Sequence, residues 1–127
     1  LELEHLTCGY ACDIHPKRSE IIKRDAFDLK SIDVANCDVV ITNPPWSRPF
    51  LHQFIEFLML ELNKPSFLLF DADWVHTKQS SPFMPYLRKI ISVGRLKWIE
   101  DSPHTGKDNC AWYFFNKGEV TTKFFGR

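Results

Sequence analysis

Apolar residues along this chain fall into short blocks separated by proline, glycine and polar residues. Gly9-Tyr10-Ala11-Cys12-Asp13-Ile14-His15-Pro16 reads as a small strand ending in an acid, and Ile21-Ile22 suggests a second brief strand. Val39-Val40-Ile41 is a β-branched run of the kind that fills a buried parallel strand. Pro44-Pro45 must end it, because proline lacks an N–H and holds φ fixed. The period then changes. Phe50, Leu51, Phe54, Ile55, Leu58 and Leu62 recur at helical spacing, which predicts an amphipathic helix. Ser47 can cap it, Pro49 suits its first turn, and Asn63-Lys64-Pro65 ends it.

Ser66-Phe67-Leu68-Leu69-Phe70-Asp71 is another apolar strand, and Ala72 to Ser81 is polar and loop-like. Pro82 opens a second expected helix through Tyr86 and Leu87 to Ile90-Ile91, with Gly94 marking the turn after it. Leu96-Lys97-Trp98-Ile99-Glu100 alternates and predicts a strand. Asp101–Asp108 reads as a loop, and Cys110–Phe115 as the last strand, ended by Asn116-Lys117-Gly118. Strands alternating with helical patterns, then two strands in succession, predict an α/β fold: a mainly parallel sheet, helices on both faces and an antiparallel carboxyl-terminal hairpin.

A length of 127 residues suits one domain with one core, 1–127. Lys plus Arg and Asp plus Glu each number 16, so net charge gives no general support for binding nucleic acid, and any such surface must be local. No apolar run is long enough to span a membrane, and no secretory signal is visible. Four irregularly spaced cysteines do not form a disulfide framework, and reduced thiols point to a cytoplasmic setting. His5, Cys8, Cys12 and His15 could be drawn as a zinc set. Their spacing departs from the usual knuckles, and a strand over 9–13 would turn Cys12 and Asp13 to opposite sides, so no metal is expected.

Asn43-Pro44-Pro45-Trp46 places a polar amide at a strand's carboxyl end, where open α/β sheets bind ligands. This stretch resembles the Asn-Pro-Pro-aromatic motif of S-adenosylmethionine-dependent methyltransferases acting on amino nitrogens, of which the adenine-N6 enzymes of DNA and RNA are the best known. The residue types suit that chemistry. An aromatic amine is a poor nucleophile because its lone pair is delocalised into the ring. The Asn43 side-chain oxygen and the Pro44 carbonyl could accept its two N–H bonds and aim the lone pair at the methyl donor. Trp46 offers a face for a flipped base.

The resemblance implies a Rossmann-like methyltransferase sheet and roles for further residues. Asp13 matches the acid that bonds the cofactor's ribose, and Ile14 the apolar residue that packs on its adenine. Asp25 and Ala26, in Arg24-Asp25-Ala26-Phe27, match the motif that reaches the adenine amino group. The plainer alternatives are a turn acid before Pro16 and a solvated loop acid. Arg48, His52 and Gln53 could face substrate, although a solvated face suits them better. Gly106-Lys107-Asp108-Asn109-Cys110-Ala111-Trp112-Tyr113 also resembles the late region of phage-type members. The loop Asp101–Asp108 is expected beside the motif, where His104, Thr105, Gly106 and Lys107 offer donors, or else serves as a plain connector.

The family's Gly-rich first motif has no counterpart, since no Gly-x-Gly occurs. The family's order places it before residue 1, so the resemblance implies a partial, N-terminally truncated methyltransferase domain with impaired cofactor binding. Self-association through the sheet surface thus exposed is expected. The expected function is methyl transfer from S-adenosylmethionine to adenine N6, in DNA rather than RNA. The alternatives are methylation of a protein glutamine amide and a catalytically silent binding module.

Overall fold

In the computed structural model, residues 5–118 and 121–127 are described. The architecture is mixed α/β. Strands β3 (Val40–Thr42), β4 (Ser66–Asp71), β5 (Leu87–Arg95), β6 (Asn109–Phe115) and β7 (Lys123–Phe125) form one sheet in the order β3-β4-β6-β5-β7. Strands β1 (Cys12–Asp13) and β2 (Ile22–Lys23) form a separate two-stranded parallel sheet. The larger sheet is evenly mixed rather than mainly parallel. β3–β4 and β5–β7 are parallel pairs, whereas β6 lies antiparallel to both β4 and β5. An antiparallel hairpin is present, but its first strand is β5 rather than the expected Leu96–Glu100, and its second strand, β6, inserts between β4 and β5.

Three expectations for residues 72–100 change. Residues 82–91 do not form a helix. The chain runs through 3₁₀ turns at Ala72–His76 and Lys78–Tyr86, then enters β5. Pro82 and Pro85 both fall within the second turn region. Each removes an amide donor, and the Ile-Ile-Ser-Val run that follows fits a pleated surface better than a helix. Gly94 lies inside β5, at a bulge and at φ 86°, and does not mark a turn. Leu96–Glu100 is not a strand, because β6 already has β4 on one side and residues 87–95 on the other. β7 was not foreseen. Its Thr-Thr-Lys-Phe-Phe lead-in carries β-branched and aromatic residues that suit an edge strand.

Helix α1 (Arg48–Glu56) continues into a π-helical turn at Phe57–Glu61, where the Leu62 N–H donates to the Phe57 carbonyl at 2.8 Å. Asn63 then adopts φ 54°, a left-handed stop that asparagine tolerates, and Pro65 follows. Pro49 lies in the first turn, but the Ser47 hydroxyl makes no capping bond. The stripe Leu51, Phe54, Ile55, Phe57, Leu58, Met59 and Leu62 is buried with Leu68, Phe70, Tyr113 and Phe115. Each such Leu or Ile contributes roughly 1.5–3 kcal/mol relative to exposure.

Among the described residues α1 is the one α-helix, so the expected helices on both faces are not formed. Phe67, Ile91, Trp112 and Phe114 on the other face are only half-buried. β3 is likewise half-buried rather than the buried strand expected, because it is an edge strand paired only with β4. No helix among the described residues is long and apolar enough to cross a membrane.

Candidate functional site at the carboxyl end of β3

β3 ends at Thr42 and leaves Asn43 exposed at the sheet rim. Pro44 is buried and anchors the turn, Pro45 is exposed, and Trp46 is half-buried against the core. The Trp46 indole N–H donates to Asn43 Oδ1 at 3.1 Å. The amide oxygen thus accepts an N–H carried on a planar ring. Arg48, at the first position of α1, forms an ion pair with Asp71 at the end of β4, with Nη2–Oδ2 at 2.6 Å. This pair ties the turn after β3 to the carboxyl end of its neighbour.

A second indole completes the surroundings. Trp98 sits on the connection between β5 and β6, with its ring centroid 6.0 Å from that of Trp46 and the planes at 69°. The connection closes on itself where the Gly106 N–H donates to the Leu96 carbonyl at 2.8 Å. A Cβ at Gly106 would lie 2.9 Å from both the Leu96 carbonyl oxygen and Trp98 Nε1, so only glycine fits there unshifted. The loop Asp101–Asp108 belongs to this connection, and its partner segment reaches the Asn43 turn through Trp98. Ser102 donates its N–H to the Ile99 carbonyl, and the Ser102 hydroxyl accepts from the His104 N–H. The alternation of Leu96–Glu100 masked Trp98 as a strand residue. An indole and an isoleucine beside polar loop residues was the signal available.

Asp13 and Asp25 lie at the carboxyl ends of the paired strands β1 and β2. Asp13 is exposed, and its Oδ1 accepts the His15 N–H at 2.7 Å in a local turn. Ile14 is 48% exposed. Asp25 caps a 3₁₀ turn, Ala26–Asp28, by accepting the Phe27 N–H at 2.9 Å. Ala26 is half-buried against the core. Phe27 meets Phe50 at 5.4 Å, Phe54 at 5.6 Å and Phe57 at 5.3 Å, which docks this segment on α1 four residues beyond Trp46. No hydrogen bond, ion pair or ring contact among the described residues links Asp13 or Asp25 directly to Asn43.

Arg24 holds the same region together. It pairs with Asp33 at 3.0 Å and donates to the Tyr10 hydroxyl and the Asp28 carbonyl. The Lys30 backbone N–H, and then Arg24, hold the Asp33 carboxyl below its ordinary value.

His52 is neither solvated nor aimed at the Asn43 turn. Its Nε2 accepts the N–H of fully buried Trp74 at 3.0 Å, and its ring stacks on Phe83 at 4.6 Å. Burial, reinforced by nearby Arg48, pushes the imidazole below its ordinary value, so it serves as a neutral acceptor. Tyr113 donates to the carbonyls of Asp71 and Ala72 and is raised by burial. Both are structural supports of the rim.

Cys8, Cys12, Cys37 and Cys110 are free thiols. Two surface hollows, of about 430 and 490 Å³, are lined by other residues: one by Phe27 and the outer face of α1, the other by Asp73, His76, Asn109, Phe124 and Arg127. Neither hollow is lined by Asn43 or Trp46. No protein-family model matches the chain, and no curated protein or solved structure matches it.

Proposed function

We propose that this chain is a Rossmann-like methyltransferase domain of the amino-methyltransferase type, and that its substrate is an exocyclic amine on a planar base, adenine N6 in DNA before RNA. The observation that supports this most is the Trp46 N–H bond to Asn43 Oδ1. It orients the amide oxygen toward an aromatic ring at the carboxyl end of a parallel strand. A target amine replaces the indole donor on Asn43, and its second N–H bonds the Pro44 carbonyl. Both bonds draw the nitrogen toward tetrahedral geometry with its lone pair free. Pro45 keeps the turn rigid, and Trp46 turns its ring to the base. No tuned general base is needed, because the amine's proton passes to water once nitrogen is alkylated.

S-adenosylmethionine would supply the methyl group. The residues present fit its adenosine half. Asp13 keeps Oδ2 without a protein donor among the described residues, Ile14 exposes an apolar side chain, and Asp25 and Ala26 lie on the adjacent strand end. For the methionine half the chain offers no Gly-x-Gly turn. The insertion of antiparallel β6 between β4 and β5 also accords with the closing hairpin of such sheets.

A second aromatic ring beside Trp46 suits a base better than the aliphatic amide of glutamine. Transfer of labelled methyl to DNA, RNA and protein, run in parallel at saturating cofactor, tests the proposal. Label in adenine-containing DNA supports it. Label in protein alone, or in none of the three, contradicts it.

A further inference from the structure

Trp98 is a large apolar side chain with no place in the core. It is 48% exposed, and its neighbour Ile99 is 69% exposed. Two such groups at a loop tip lose water contact only if something covers them. The loop that carries them is not a loose tether. The Leu96–Gly106 backbone bond closes it, and the missing Cβ of Gly106 lets Trp98 Nε1 lie against the loop's own main chain. Compact surface loops closed in this way are frequently functional.

The loop delivers the indole to one place. Trp98 stands edge-to-face with Trp46, whose N–H holds Asn43 Oδ1. Two indole faces and one amide acceptor therefore converge at the end of β3.

We propose that Trp98 is a second ring-binding residue of this site, forming with Trp46 the two walls of a slot for a planar nitrogenous base of the aminopurine class. The proposal rests on the reading of Asn43 and Trp46 as the amine site. A ring held between two walls needs van der Waals separation on both sides, about 7 Å from wall to wall. The present 6.0 Å between centroids, at 69°, is close to that spacing but not parallel. Rotation of the Trp98 ring with a shift of about 1 Å in its loop opens the slot. The edge-to-face contact covers only part of each indole, and Trp98 stays 48% exposed. On binding, the base replaces Trp98 against Trp46 and its amine replaces the indole N–H on Asn43.

The test is a fluorescence titration of the full chain at fixed salt, with a single-stranded oligonucleotide carrying one adenine and a matched abasic strand. The wild type is compared with Trp98→Ala, Trp98→Phe and Trp46→Ala. Stacking on one aromatic side chain is worth roughly one to two decades of affinity. Trp98→Ala is expected to weaken adenine-strand binding about ten-fold or more and leave abasic-strand binding unchanged. Trp98→Phe is expected to restore it to within about three-fold. Adenine-strand binding by Trp98→Ala equal to wild type, with Trp46→Ala impaired, would overturn the second wall and leave the amine site standing. No preference of the wild type for the adenine strand over the abasic one would overturn both.

Discussion

Trp46 donates its indole N–H to the amide oxygen of Asn43, three residues before it, across the rigid Pro44-Pro45 turn. The amide oxygen proposed to accept the target amine thus accepts an indole N–H in this structure. In the proposed function, exchange of the indole N–H for an exocyclic amine N–H would cost little, because the bond lost is replaced by the bond gained.

That exchange separates the two roles of Trp46. Trp46→Phe keeps a stacking face and removes the donor. Its effect on folding stability is expected at no more than about 1 kcal/mol, since Asn43 is exposed and water replaces the indole. Adenine-strand binding is expected to match or exceed wild type. Trp46→Ala removes the ring and is expected to lose about ten-fold or more. Urea unfolding with a parallel binding titration checks both, and equal loss in the two variants would show that the ring face plays no part.

His52 provides a test of the support beneath the rim. Its Nε2 is the partner of buried Trp74. His52→Leu leaves that N–H without an acceptor and is expected to cost about 1–3 kcal/mol. His52→Gln, which can still accept, is expected to cost less. The imidazole is held below its ordinary value of 6.5, so between the folded and unfolded values the unfolded chain binds the extra proton. This contribution to stability is full above about pH 6.5 and is lost as pH falls below it. The stability difference between wild type and His52→Gln should therefore shrink on acidification from neutral pH. A difference independent of pH would contradict the half-buried, neutral histidine.

The connection carrying Trp98 makes a separate prediction. Its amides outside the Leu96–Gly106 and Ile99–Ser102 bonds have few partners. Residues 101–108 are expected to exchange hydrogen rapidly in the free chain and to gain protection with a saturating adenine oligonucleotide. Unchanged exchange in the complex would reduce this segment to a connector between β5 and β6.

Cofactor binding should reflect the residues present. Asp13, Ile14, Asp25 and Ala26 are proposed to hold the adenosine half, and the sequence contains no Gly-x-Gly for the methionine half. Calorimetry with S-adenosylmethionine and with its demethylated product is expected to give similar dissociation constants, both weaker than micromolar, which corresponds to about −8 kcal/mol. Submicromolar affinity for either would show that other residues bind the methionine end.

Much of this arrangement was legible where local signals were strong. Val39–Ile41 followed by two prolines located β3 and Asn43, and the helical spacing from Phe50 to Leu62 located α1 with its Asn63 stop. Legibility failed where non-local pairing decided the outcome. Residues 87–95 became a strand because β6 offers an edge there, which no short-range period reveals. The same pairing pushed Leu96–Glu100 out of the sheet and brought Trp98 to Trp46. His52 looked like a solvated position on α1 because nothing near it in sequence announces Trp74 or Phe83. The separation of β1 and β2 from the larger sheet was equally invisible, since each is only two residues long.

The most direct test of the central claim is the dependence of methyl transfer on Asn43. Wild type and Asn43→Ala are incubated with labelled S-adenosylmethionine at saturating concentration and an adenine-containing DNA strand, and the product bases are separated. Label in N6-methyladenine with wild type, reduced at least a hundred-fold (roughly 2.7 kcal/mol or more) in Asn43→Ala, is the predicted result. Equal label with both proteins would contradict it.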